Sequence, residues 1–230
     1  SDIHLSGPGY DVTFRQVKAD DRPENPSVEY VKPSTFTIPQ YNYRLGWFFR
    51  RNWSLSLGMD HMKYVVAAGQ TVTMEGSIAP ERSDHFTLDH TNREVELSPD
   101  LLRYEHTDGL NLLSVDLDRY QLLWKSASGQ HQLSVFEGLH AGAVIPRTDV
   151  RIFGDGVNNA FHLAGFGVGG QGGLHLTLWN HFLVRATGRA GWMDLPDVLT
   201  TGTAEDRADQ QFWFWQGNLT IGAQFRLGAR

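Results

Sequence analysis

An all-β chain whose sheet is built inside out is predicted by three observations: strict two-residue alternation, a regular succession of short and long connections, and aromatic residues gathered beside the short ones. In 40–49 (QYNYRLGWFF), Tyr41, Tyr43, Leu45, Trp47 and Phe49 fall on one face and Gln40, Asn42, Arg44 and Gly46 on the other. Successive strand residues point to opposite faces, so one face is wholly apolar and the other polar and charged. The same pattern closes the chain at 218–227 (NLTIGAQFRL), with Leu219, Ile221, Ala223, Phe225 and Leu227 opposite Asn218, Thr220, Gly222, Gln224 and Arg226. Apolar outside and polar within is the pattern of a transmembrane β-barrel.

Composition agrees and narrows the partners. The 230 residues suit one all-β domain spanning 1–230. Net charge is −6 with no Lys/Arg-rich run, which speaks against nucleic acid as a partner. There are no cysteines, so disulfides and thiolate-bound metals are excluded. No apolar run is long enough for a membrane helix, whereas a barrel needs only alternate residues to be apolar.

Turn chemistry sets the strand count. Short turns fall at Arg51-Asn52, at 126–130 (SASGQ) and at Asn180-His181, and long connections near 19–35, 67–100, 147–160 and 196–210. Strands are then expected over 3–18, 36–50, 53–66, 101–124, 131–146, 161–179, 182–195 and 211–227, an eight-stranded antiparallel up-and-down transmembrane barrel. An even count places both termini at the short-turn end, periplasmic in an outer-membrane barrel, with the long loops extracellular. The first strand changes phase at Gly7-Pro8-Gly9, where a bulge is expected, and the fourth loses phase near Arg119-Tyr120. Residues 70–76 (QTVTMEG) alternate within the second long loop and predict a hairpin there.

Trp47, Phe49, Trp53, Trp124, Trp179 and Phe182 stand beside short turns and predict a lower aromatic belt. Tyr41, Tyr43, Tyr64, Trp192, Trp213 and Trp215 lie toward the loop end and predict an upper one. A barrel of eight strands is filled by its own side chains. Its expected filling is Asp11, Arg15, Arg44, Asp60, Asp116, Arg185, Arg189 and Arg226 with His140, Gln171 and His175, a neutralising network of both signs.

The candidate site is polar residues at the loop end: Asp60, His61 and Lys63 (DHMKY), Arg103, Glu105, His106 and Asp108 (RYEHTDGLN), and His162. Carboxylates with histidine suit a divalent cation, and arginine and lysine suit lipid phosphates. The metal assignment stays open, and no cofactor is expected.

In strand number and pattern the whole chain resembles the small OmpA/OmpX-type outer-membrane barrels, and DHMKY and EHTDGLN resemble stretches of uncharacterised Bacteroidetes-type outer-membrane proteins. It also resembles the barrel group that includes lipid A deacylases and outer-membrane phospholipases, whose His-x-Ser pair supplies base and nucleophile. Here His106-Thr107-Asp108 carries no hydroxyl two residues after the histidine, and Ser114 is eight residues on, too far along a strand to meet it. The resemblance implies a Gram-negative outer-membrane location with outer-membrane lipid, lipopolysaccharide or other outer-membrane proteins as partners. The expected function is a non-enzymatic surface scaffold, binding protein or subunit of an outer-membrane complex. The alternative is a surface lipid-acting hydrolase using His106 and Asp108.

Overall fold

The structure is a computed structural model that describes residues 1–21, 41–83, 85–156, 158 and 160–226, without the side chains of Thr107 and Asp108. Among the described residues thirteen strands form one antiparallel sheet. They are β1 (Asp2–Gly7), β2 (Tyr10–Arg15), β3 (Ala19–Asp20), β4 (Asn42–Arg50), β5 (Trp53–Val66), β6 (Thr71–Ile78), β7 (Leu88–Glu96), β8 (Leu102–Lys125), β9 (Gln132–Pro146), β10 (Asp149–Ile152), β11 (Gly165–Leu178), β12 (Phe182–Leu199) and β13 (Arg207–Ala223). The order is β3-β5-β8-β9-β11-β12-β13-β1-β2-β6-β7, with β4 on β5 and β10 on β8.

The chain is therefore all-β and antiparallel as expected, with more strands than the eight counted. The excess comes from three long connections and one divided strand: 19–35 begins with the two-residue β3, and 67–100 and 147–160 hold further strands. The 67–100 segment holds the expected hairpin as β6 and β7, 147–160 holds β10, and 196–210 is shortened because β12 runs to Leu199 and β13 starts at Arg207. The first expected strand, 3–18, is two strands: Gly9 takes φ +80° and Gly7-Pro8-Gly9 makes a turn, not a bulge, between β1 and β2. Residues 36–40, 227 and most of the 19–35 connection lie outside the described residues.

No backbone ladder joins β13 to β4 among the described residues, so the sheet has two ends. It is nevertheless strongly curled. The row that starts at Arg44 passes through Gly58, Ser114, Gly142, Gly167 and Met193 to Phe212, so Asn42, two residues higher, is level with Gln210. Yet Thr220 Oγ1 donates to Asn42 Oδ1 at 2.8 Å, ten residues further down β13 (210 to 220). The sheet thus returns on itself with a pronounced stagger, bringing inward side chains of its far strands together.

Along the long strands the two faces exchange chemistry at mid-height without a change of phase. In the lower, short-turn half the outer face is apolar: Leu45, Trp47, Leu55, Leu57, Leu113, Val115, Leu139, Val168, Leu174, Leu219 and Ile221 are all exposed. Trp213 and Trp215 are 81% and 86% exposed, values that in water mark an unsatisfied apolar surface. The inner face buries Ser54, Ser56, Asp60, Ser114, Asp116, Asp118, Gln171 and Arg189. In the upper half the inner face is apolar. Ile3, Leu5, Val12, Phe14, Met74, Tyr104, Leu112, Val144, Val150, Ile152, Met193 and Leu195 form a closed core, a cap over the lower half. On β12 the inward series runs Arg185, Thr187, Arg189, Gly191, Met193, Leu195, so one strand lines both compartments.

Two placements differ from expectation for this reason. Asp11 and Arg15 lie on the solvent face of the cap, where Arg15 pairs Asp2 at 2.8 Å and Glu75 at 2.9 Å, because β1 and β2 turn their apolar residues into the cap core. Tyr64, assigned to the upper belt, is buried in that core and bonded to Ser1 Oγ at 2.8 Å. Ser1 thus sits in the cap while β13 runs down to Ala223 at the short-turn end, so these two residues are not at the same end. Arg226 is exposed beyond β13, not in the interior.

Inward and outward glycines answer to different constraints. A Cβ on Gly169 would lie 2.7 Å from Gly191 Cα and His140 Cε1, whereas a Cβ on Gly217 would meet nothing within 4 Å. Gly169→Ala is expected to destabilise the fold by about 1–3 kcal/mol through overpacking, and Gly217→Ala to leave it unchanged or slightly firmer. Thermal midpoints in one detergent check the contrast; equal midpoints for the two variants would refute it.

Candidate functional site

The lower interior is organised around Arg189. Its guanidinium lies on β12 and reaches across the curl to Asp60 on β5, in direct contact, and to Asp116 Oδ1 on β8 at 2.9 Å. Arg44 on β4 closes the cluster from the other side, Nη2 to Asp60 at 2.6 Å and Nε to Asp116 at 2.8 Å. One level nearer the short turns, Arg185 donates to Asp118 Oδ2 and to Tyr120 Oη at 2.9 Å each, and Gln171 donates to Asp118 Oδ1 at 2.6 Å. The Arg185 guanidinium also stacks 3.7 Å from the Phe136 ring centre. Three arginines meet three aspartates, so the interior is charge-balanced, and these pairings and hydrogen bonds offset the cost of taking the ions out of water.

Of the expected filling, Arg44, Asp60, Asp116, Arg185, Arg189, His140, Gln171 and His175 all face this interior. Asp118, a central counter-ion, is absent from that expected set although it shares the parity of Ser114 and Asp116 and is buried with them. The β8–β9 ladder shifts register only between Leu122 and Trp124, beyond Asp118, which pairs with Gly138 in phase with Asp116 and His140. Both ring nitrogens of His140, Nδ1 of His175 and Oε1 of Gln171 have no protein partner, so the interior has polar positions suited to water.

The loop-end residues do not converge into one site. Asp60 belongs to the arginine cluster. His61 is buried, hydrogen-bonded through Nδ1 to Asn111 Oδ1 at 2.9 Å and stacked on Tyr41 with ring centres 4.8 Å apart. Lys63 is half-buried at the register shift between Met62 and Tyr64. Arg103 contacts buried Glu105 directly and Asp149 at 3.1 Å. His162 shares Asp197 with Arg207, at 2.7 Å and 2.8 Å. Asp108 has no described side chain. Since His106 pairs with Tyr64, three positions along β5 from His61, the two imidazoles are offset by roughly 10 Å along the strand. Among the described residues no group of three or more histidines and carboxylates is placed to hold a metal ion.

His106 is 0% exposed, in the cap core between Tyr64 and Tyr104, with Nδ1 2.9 Å from Thr148 Oγ1. Burial disfavours the imidazolium and pushes its pKa down to about 4, against a smaller opposing effect of the Gln210 side chain. A neutral imidazole sealed in an apolar core has no path to a lipid ester. Ser114 stands in the lower interior, bonded to Asp116 at 2.7 Å. His4 behaves oppositely. It is partly buried, which lowers its pKa, but hydrogen bonds to Asp209 (2.6 Å) and Asp11 (3.1 Å) outweigh this and raise it.

Comparison with protein-family models, curated proteins and solved structures finds no match to this chain. What stands is a class defined by its own geometry: an all-β antiparallel chain with a charge-balanced polar interior beneath an apolar cap.

Two predictions follow the charges. Arg189→Met leaves Asp60 and Asp116 with Arg44 alone, and loss of one member of such a buried cluster costs about 3–5 kcal/mol. Arg189→Met/Asp60→Asn should recover part of this, measured by denaturant midpoint; a single variant as stable as the parent would contradict the cluster's role. For His106, the folded pKa lies below the unfolded value near 6.5, so the unfolded chain takes up the proton first. Its contribution is intact above pH 6.5 and is lost as pH falls toward 4, by about 3 kcal/mol in all. His106→Gln should flatten stability against pH in that window. The raised His4 acts in the opposite sense, its contribution present below pH 6.5 and lost as pH rises through its raised value.

Proposed function

We propose that this chain is a transmembrane β-barrel of a Gram-negative outer membrane, acting as a non-enzymatic surface scaffold or binding subunit that presents its cap to the outside. The observation that carries the reading is the exchange of polarity along single strands. A lower half that is apolar outside and ionic inside suits lipid, and an upper half that is polar outside and apolar inside suits water.

The dimensions agree. The outward apolar positions run from Trp213 to Ala223 on β13 and from Phe182 to Trp192 on β12, matching the nine to eleven residues of a tilted membrane strand. Trp47, Phe49, Trp124, Trp179 and Phe182 are exposed by the short turns, and Tyr43, Trp213 and Trp215 toward the cap, as two interfacial belts require. Closed at a β4–β13 seam, which would be parallel because both strands run from the cap to the short turns, the wall would be about as narrow as an eight-stranded barrel and filled by side chains, which suits a lumen occupied by arginine–aspartate pairs. Seven strands, β4, β5, β8, β9, β11, β12 and β13, supply that wall, and the strand expected over 3–18 belongs to the cap.

A scaffold is favoured over a conduit because the cap core closes the lumen from above, and over a hydrolase because His106 is enclosed. Outer-membrane lipid is the expected surround of the belts. Topology is read from single cysteines in this cysteine-free chain. In intact cells a membrane-impermeant maleimide should label Thr91→Cys on β7 and spare Ser128→Cys at the β8–β9 turn until the cells are permeabilised. Lipids brominated along the acyl chain should quench tryptophan emission, and planar bilayers should show no steady conductance. A monodisperse monomer without detergent would end the proposal.

A further inference from the structure

The outer wall of the lower half carries one polar island. On β8 the outward series is Leu113, Val115, Leu117, Arg119 and Gln121, followed after the register shift by Trp124, and on β9 it is Leu133, Val135, Glu137, Leu139 and Ala141. Arg119 and Glu137 are register partners, with Nη1 3.6 Å from Oε1, and remain 62% and 76% exposed. Leu117 and Leu139 lie directly above them, Gln121 and Val135 below, Trp53 on one side and Gly172 on the other. Among the described residues no other ion pair interrupts the apolar face. Interior packing does not explain it, because both side chains point away from the arginine–aspartate cluster.

We propose that this face is the contact between two copies of the chain, related by a twofold axis that runs between β8 and β9 along the membrane normal. The inference rests on the membrane reading above. The pair stands level with Trp53 of the expected lower belt, where an outward charge costs less than at mid-membrane, but its long, loose 3.6 Å contact leaves both groups with unused hydrogen-bonding capacity. An isologous contact places each surface against itself. With the axis between the two strands, Arg119 of one copy faces Glu137 of the other, and the two pairs close into a ring of alternating charge. Leu117 and Leu139 supply an apolar rim above the ring. Gly172, followed in register by Gly188 and Gly217, leaves the neighbouring wall low, so the second copy can approach closely beside the ring. The charges carry the argument: the pattern is self-complementary under that axis, and a helix or lipid presenting one sign of charge would satisfy only half of it.

The full chain reconstituted in lipid bilayers tests this. Leu139→Cys should form a disulfide-linked dimer under mild oxidation, and Ile221→Cys, equally exposed on the far wall, should not. Energy transfer between labelled copies, diluted with lipid, should show association weakened about tenfold or more by Arg119→Glu. The swap Arg119→Glu/Glu137→Arg should restore it while each single reversal does not. Retained heat-modifiable mobility on a gel separates loss of association from loss of fold. Equal cross-linking at both cysteine positions, a monomer at every protein-to-lipid ratio, or indifference to the reversals overturns the proposal. If the chain is monodisperse without detergent, the membrane reading fails first, which is a distinguishable result.

Discussion

The contact that Arg189 makes across the curled sheet with the Asp60–Asp116 pair fixes the shape of the lower half. It ties β12 to β5 and β8, strands that the ladder order sets apart, so the sheet must curl tightly for the guanidinium to reach. Tight curling demands inner glycines such as Gly142, Gly165, Gly169 and Gly173, where a Cβ would strike a neighbouring strand. The charges and the glycines are two sides of one constraint. The interior is narrow enough that every ion finds a counter-ion, and so crowded that many inner positions admit no side chain.

The same curl explains why the cap is where it is. Above the arginine cluster the inward residues become Met193, Leu195, Leu112 and Val144, and an open ring of such residues would leave its centre exposed to water. The β1–β2 and β6–β7 hairpins supply the missing cover. Ile3, Leu5, Val12, Phe14, Val72 and Met74 complete one continuous core with the strand tops. Burial of this core, worth about 25 cal/mol per Å² of apolar surface, holds the hairpins down more than the five-pair ladder of β1 on β13 does.

Much of the lower half was legible from residue order because alternation with period two runs through 53–59, 133–145, 166–178 and 182–192, interrupted in the second of these only at Phe136 and Glu137. The inward sets in those stretches are the buried ones. What alternation cannot tell is which medium each face meets. Ile3 and Leu5, or Tyr10, Val12 and Phe14, alternate like membrane strands, yet they face a core, and their polar neighbours Asp11 and Arg15 face water instead of a lumen. The candidate site suffered from the same ambiguity. Asp60, His61, Glu105 and His106 are polar letters close in register, which reads as a rim, but the pleat turns them into different compartments. Asn111, Thr148 and Arg103 take up three of them, and the arginine cluster takes the fourth. Asp118 keeps the parity of Ser114 and Asp116, and the register shift at Leu122/Trp124 lies beyond it, so alternation alone places it inward.

β8 runs 24 residues from the cap core to the β8–β9 turn, paired with β5 on one side and with β9 and β10 on the other. A force that pulls the cap away along the strand axis would act parallel to the strands and across their hydrogen bonds. The ladder would then be strained in shear, with many bonds sharing the pull at once instead of opening one after another. Whatever grips the cap therefore meets a mechanically stiff tether rather than a flexible stalk.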